Sequence, residues 1–244
     1  MPGADSKNIK RAAVMILRAE EIVKTYKDDT VISIKDFHVK RGETVSIIGP
    51  SGVGKTTFFN ILSGLDRPDS GRVFFRDEDI TGKPGVLGYM QQKDLLLEHR
   101  TLIRNLCLPL ILKGSEKGEA EEEAEKYLRD FGLEGCENLY PSQLSGGMRQ
   151  RAALLRTFLY SRDLLLLDEP FSALDEITRI SLHEWYKKIR GDYGTSAVLV
   201  THSITEALSL SDRIYVMNGK PGTFTAEFEA DKTCTGEILE YLRV

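Results

Sequence analysis

Gly49-Pro50-Ser51-Gly52-Val53-Gly54-Lys55-Thr56 stands between the apolar run 45–48 and the helix-forming stretch 57–63, which Gly64 closes. The spacing is GxxxxGK[ST], and a strand before it with a helix after it is the setting that this pattern requires. Glycines let backbone N–H groups converge on phosphate oxygens with no Cβ in the way. The following helix turns its free N–H groups and the positive end of its dipole on the same anion. Lys55 is placed to reach the β/γ-phosphates of a nucleotide, and the Thr56 hydroxyl to complete the coordination of Mg2+.

Downstream, Asp163-Leu164-Leu165-Leu166-Leu167-Asp168-Glu169 sets two carboxylates after four leucines. That is the carboxyl end of a buried parallel strand, the edge at which open α/β sheets bind ligands. Two adjacent acids could merely cap a helix; beside a phosphate loop, Asp168 suits Mg2+ held through water. Glu169 then suits a water lined up with the γ-phosphate. His202 follows the apolar run 197–200 and Thr201, at a third strand end on the same edge, and is placed to touch a γ-phosphate.

Strand-like and helix-like stretches alternate, so the fold class is α/β, a mixed sheet with helices on its faces. Short strands are expected at 14–18, 31–38, 43–48 and 72–75, the first two antiparallel or at an edge because charges interrupt them. From about 93 to 160 helical spacing takes over, with Ala120, Ala124, Leu128 and Phe131 on one face and the acidic run 116–125 read as its solvated side. Leu144-Ser145-Gly146-Gly147-Met148-Arg149-Gln150-Arg151 precedes a further helix, a second helix N-terminus able to receive an anion. A helix is expected around 182–189, with Trp185 packed in the core.

With 33 basic against 37 acidic residues the chain carries a formal charge of −4, which offers no basic field for nucleic acid. Cys107, Cys136 and Cys234 are odd in number and far apart, so they are expected to be free thiols. Lys7, Lys10 and Arg11 precede an apolar run too short for a leader peptide, and no stretch of about 18 apolar residues spans a membrane.

On these motifs the sequence resembles the ATP-binding cassette (ABC) ATPases. Residues 144–148 match the family's LSGGQ-type signature, with Met148 at the position where Gln is commoner. The phosphate loop, the signature, the leucine strand with its acids, Ser172-Ala173-Leu174-Asp175 (the D-loop) and His202 follow in the family's order. The resemblance implies a single domain over 1–244 with a P-loop NTPase fold. A RecA-like mixed sheet core and an antiparallel β subdomain would take about 1–92 and 161–244, and an inserted α-helical subdomain about 93–160.

It also implies that Tyr26 stacks on adenine, that residues 49–57 through Thr57 hold ATP, and that Glu169, His202, Lys55 and Gln92 serve hydrolysis. Gln92, with Gln91 as the alternative register, would join Thr56 and Asp168 at the metal. In the family the signature of one subunit meets the ATP of the other. A homodimer is therefore expected, with transmembrane permease subunits, indirectly a substrate-binding protein, and a peripheral place on the cytoplasmic side of the membrane. A small-molecule kinase would have the phosphate loop but no use for the signature.

Within the family, Thr201-His202-Ser203-Ile204-Thr205-Glu206-Ala207-Leu208 and the stretches 211–214 and 219–222 are similar to ATPases of nitrate, sulfonate and taurine importers and of importers of pyrimidine thiamin precursors and riboflavin. Leu95-Leu96-Leu97 with Arg100-Thr101 also fits that group, whereas Glu98-His99 replaces its usual Pro-Trp. The alternative is the ATPase of a lipoprotein-releasing or exporting system.

Overall fold

The computed structural model describes residues 14–172 and 174–242; Lys7, Lys10, Arg11 and Ala173 of the expected D-loop lie outside the described residues. Four leucines in a row organise the interior. In an extended chain they alternate between two faces, and both faces are covered. Leu165 and Leu167, with Ala197 and Leu199, enter one core together with the helices; Leu164 and Leu166, with Val198 and Val200, enter a second core.

The strand that carries them, Leu164–Asp168, belongs to a six-stranded sheet. In chain order its members are β3 (Thr44–Ile48), β6 (Gly88–Met90), β7 (Leu164–Asp168), β8 (Ser196–Val200), β9 (Arg213–Asn218) and β10 (Thr223–Glu229). Their spatial order is β10-β9-β3-β8-β7-β6, parallel except for β10. The remaining strands β1 (Met15–Tyr26), β2 (Asp29–Lys40), β4 (Ser70–Phe75) and β5 (Glu78–Asp79) form an antiparallel sheet in the order β2-β1-β4-β5. Its apolar face, with Leu17, Ala19, Ile22 and Phe37, closes the second core over α1 (Lys55–Leu62).

No strand lies between β6 and β7 among the described residues. That interval holds α2 (Leu102–Leu112), α3 (Lys117–Leu128) and α4 (Gly146–Tyr160). Ala120, Ala124, Leu128 and Phe131 are buried as their spacing requires. The chain then passes through α5 (Glu176–Tyr193) and α6 (Ile204–Leu210) and ends on α7 (Thr235–Leu242).

Three expectations need correcting. The first strand runs to Tyr26 rather than stopping near residue 18, because a register shift at Glu21, with φ 51°, lets the buried set change from Leu17 and Ala19 to Ile22. The helix around 182–189 spans Glu176–Tyr193. Trp185 is half-buried at the edge of the core, edge-on to Phe131, and its indole N–H donates to the Asp130 carbonyl at 3.0 Å. The three cysteines are free; burial pushes the Cys107 thiol up to about 11.

Candidate functional site

Because β8 lies between β3 and β7, the loops after these three strands open side by side. The Glu169 N–H donates to the Val200 carbonyl at 2.9 Å and the Thr201 N–H to the Ile47 carbonyl at 3.3 Å, tying the three ends together. A cavity of about 290 Å3 lies above them, lined by Ser51, Lys55, Thr56, Thr57, Asp168 and Glu169 among others.

The phosphate loop is pressed against the β9–β10 hairpin. A Cβ on Gly49 would stand 2.2 Å from the Met217 carbonyl oxygen, so only glycine fits there. Pro50 and Val53 complete the turn, with the Val53 N–H directed to the Pro50 carbonyl at 3.5 Å. Gly52 and Gly54 both take positive φ. Lys55 is buried, its ammonium donating to the carbonyls of Gly49 at 2.8 Å and Pro50 at 2.9 Å. Burial pulls it below the ordinary lysine value, and the carboxylates of Glu169 and Asp168 push it part of the way back.

Asp168 is the last residue of β7 and is buried. Burial raises its carboxyl above the usual carboxylate range, with the Glu169 charge adding to the effect, while a hydrogen bond from the Tyr89 hydroxyl at 3.3 Å works the other way. Glu169 adopts the left-handed backbone, φ 46°, which turns its side chain out of the strand direction. Its carbonyl accepts from the Ser172 N–H at 3.2 Å and the Ser172 hydroxyl at 3.0 Å.

One carboxylate oxygen, Glu169 Oε2, gathers two of the expected partners. Gln92 Nε2 donates to it at 3.2 Å, and His202 Nδ1 stands 3.5 Å away on a largely exposed ring. Gln91 and Gln92 both line an adjoining cavity of about 510 Å3 with Thr56 and Asp168, but the bond to Glu169 is made by Gln92.

Tyr26 ends β1 and is 45% exposed. Its hydroxyl donates to Asp66, and Lys24 reaches Asp66 at 2.8 Å while standing 5.1 Å from the ring centroid. The hydrogen bond to Asp66, then burial, raises the phenol above its ordinary value. Thr57, in the first turn of α1, opposes the rise through a hydrogen bond to that hydroxyl.

Ser145 caps α4, its hydroxyl accepting from the Met148 N–H at 3.3 Å; Leu144 is buried beneath it. Gly146 and Gly147 open the helix beside Leu174 and Thr178. Asp175 caps α5 by accepting from the Thr178 N–H at 3.0 Å. The segment 144–148 thus sits against the start of α5 and lines neither cavity at the phosphate loop.

Two neighbours of the site escaped the sequence reading. Tyr89 lies in a strand of three residues, too short to show a period. Gly222 opens the way for the phosphate loop, since a Cβ there would stand 2.0 Å from the Val53 carbonyl oxygen; the signal was a glycine after Lys220-Pro221, which carries no chemistry by itself. Gly222→Ala is expected to displace Val53 and the loop with it. Overpacking of this kind costs about 1–3 kcal/mol; with that cost falling on the seating of the loop around phosphate, nucleotide affinity in a fluorescence titration drops by roughly 5–150-fold. Unchanged affinity would show the hairpin to be indifferent to the loop.

The family model described as ABC transporter matches residues 33–172. The formylaminopyrimidine import ATP-binding protein ThiZ of Halalkalibacterium halodurans is 43% identical over 207 residues, 84% of this chain and 81% of that protein. The taurine import ATP-binding protein TauB of Pelagibacter ubique is 41% identical over 210 residues, 85% and 79% of the two chains. Among solved structures, the ATP-binding cassette MJ0796, in a dimeric post-hydrolysis state bound to ADP and Pi, superposes with a TM-score of 0.75 at 31% identity. That match covers 88% of this chain and 99% of the other. The cbiO1 protein of Clostridium perfringens reaches a TM-score of 0.81 at 22% identity, covering 92% of each chain, a likeness of fold.

Proposed function

The chain belongs to the ABC transporter family of ATP-binding proteins, and from that premise we propose that it hydrolyses ATP to drive import of a small organic solute. Sulfonates such as taurine or a pyrimidine precursor of thiamin are the solute classes that fit, in line with TauB and ThiZ. The observation that carries the reading is the meeting of Gln92 and His202 on Glu169 Oε2, at the mouth of a cavity floored by Lys55, Thr56 and Asp168.

In this reading the N–H groups of residues 49–57 and the Lys55 ammonium hold the β- and γ-phosphates, and Tyr26 offers its open ring face to the base. Glu169 takes the proton of the attacking water, while His202 and Gln92 fix its carboxylate and the γ-phosphate in line. The Thr56 hydroxyl, Asp168 carboxylate and Gln92 amide oxygen form an all-oxygen set around one cavity. That set suits Mg2+, and an ion held there would add its charge to that of Lys55 in offsetting the burial that raises the Asp168 carboxyl. When bound, the ion neutralises charge on the β- and γ-phosphate oxygens.

Ser145 to Met148 would complete the site of a second copy of the chain, with Ser172, Leu174 and Asp175 at the seam; Ala173 belongs to the same proposed D-loop. The helical subdomain, about 93–160, would pass the movement on. A groove of about 310 Å3 between Leu65, Leu87 and Gln91 on one side and Leu108, Pro109 and Leu112 on the other fits a helical segment of a transmembrane permease subunit. No helix among the described residues is long and apolar enough to cross a membrane, so such a subunit would hold the chain at the cytoplasmic face. A substrate-binding protein would act through the permease.

The test is hydrolysis of ATP by the purified chain with Mg2+, together with nucleotide affinity of Tyr26→Ala. Loss of stacking on the base is expected to weaken binding by roughly 1–3 kcal/mol. Wild-type affinity would return Tyr26 to a packing role, and absence of hydrolysis would remove the reading itself.

A further inference from the structure

Arg149 lies in the first turn of α4, its backbone N–H bonded to the Ser145 carbonyl at 2.9 Å, but its guanidinium leaves that helix. Nε and one Nη fork onto the Asp94 carboxylate at 2.8 and 3.2 Å, and the same Nη reaches the Glu98 carboxylate at 2.7 Å. Asp94 stands just beyond Gln92, whose amide holds Glu169.

The loop between them is held in shape along its length. Leu95 takes φ 47°, a strained value for a leucine. Arg156, also from α4, bonds the carbonyls of Asp94 at 2.6 Å and Leu95 at 2.7 Å. The Asp94 carboxylate accepts from the Leu96 N–H at 2.9 Å. Fully buried Asn105 grips Leu97 through its N–H at 2.7 Å and its carbonyl at 3.2 Å. Burial works to raise the Asp94 carboxyl, yet the hydrogen bonds from Arg149 and Leu96 carry it below the usual range. A forked, part-buried Arg–carboxylate pair is directional as well as strong.

We propose that Arg149 is a positioning residue that locks the loop carrying Gln92 to the first turn of the signature helix. Capture of a partner chain's nucleotide by residues 145–148 then sets the placement of Gln92 against Glu169 in this chain's own site. The two ATP pockets of a dimer are linked through one guanidinium in each chain. The inference rests on the dimer reading above and deepens it, since a residue outside both pockets becomes the element that couples them.

The experiment measures ATP hydrolysis against ATP concentration for wild type, Arg149→Ala, Glu98→Gln and the double exchange Arg149→Asp with Asp94→Arg. The wild type is expected to show a Hill coefficient above 1. Arg149→Ala lowers kcat about tenfold or more, in keeping with the cost of a displaced catalytic group, and brings the Hill coefficient to about 1. Its ATP affinity in a binding titration stays within about twofold. Glu98→Gln falls between, and the exchange restores part of both quantities.

A merely structural loss reduces the active fraction and kcat but leaves the Hill coefficient at the wild-type value; that outcome overturns the proposal. So does a wild type with a Hill coefficient of 1, or an exchange that restores neither quantity. Failure of the underlying dimer reading shows separately, as absence of an ATP-driven dimer in Glu169→Gln.

Discussion

Glu169→Gln is expected to bind ATP as the wild type does and to turn it over about 10²–10⁴-fold more slowly, the range for loss of a general base. The replacement preserves shape. A glutamine oxygen can still accept from Gln92 Nε2, and the backbone bonds from Glu169 to Val200 and from Ser172 to Glu169 are untouched. What disappears is the ability to take a proton from water. Lys55, the loop amides and the signature remain in place, so ATP is held between two chains and not consumed. Phosphate release together with size-exclusion chromatography in ATP checks both halves of this expectation. Turnover at the wild-type rate would move the base to another residue.

Arg213→Ala carries the largest expected loss of stability. Arg213 sits in fully buried β9 with its side chain only 5% exposed. It forks onto Glu43 at 2.8 and 3.1 Å and meets Glu227 at 2.6 Å, the Tyr215 hydroxyl at 3.0 Å and the His38 carbonyl at 2.7 Å. One guanidinium thereby joins the antiparallel sheet, the turn into β3 and the β9–β10 hairpin that backs the phosphate loop. Removing it strands the buried Glu43 charge, a change that costs about 3–5 kcal/mol. In a chain of this size that lowers Tm by roughly 6–20 °C. Thermal unfolding followed by circular dichroism measures it, and Arg213→Lys, which keeps the charge but not the fork, should recover only part of the loss. A shift within 1 °C for Arg213→Ala would show that water already solvates Glu43.

The strand ends that frame the site were legible because their signals are local. Gly49 to Thr56 has a fixed spacing, and the runs ending at Leu167 and Val200 are apolar throughout, that ending at Ile48 apolar but for Ser46, because each strand is covered on both faces. Features that depend on distant partners were not. The strand Arg213–Asn218 opens on a cation whose burial makes sense only once Glu43 and Glu227 are seen around the guanidinium. The first strand loses its alternation at Glu21, where the backbone turns left-handed. Exposed Ile177 and Ile180 blur the apolar face of α5 near its start. In the site itself, residue types could name Glu169 and His202, and the family resemblance Gln92, but the bond of Tyr89 to Asp168 and the close approach of Gly222 to Val53 exist only in the folded chain.

Leu164 to Leu167 has one more consequence. Four identical side chains shared by two interiors are nearly degenerate under a slip of one position, since leucine replaces leucine on either side. Pairing is therefore decided at the ends, where Asp163 accepts the Ser196 N–H at 3.0 Å and Glu169 donates to Val200 at 2.9 Å. Both bonds are made by main-chain groups of the acids that frame the strand, so Glu169, whose carboxylate is proposed to act on water, is itself held by a bond that sets the alignment. Lengthening the run by a single leucine would leave the interior as oily as before and carry the chemistry out of reach.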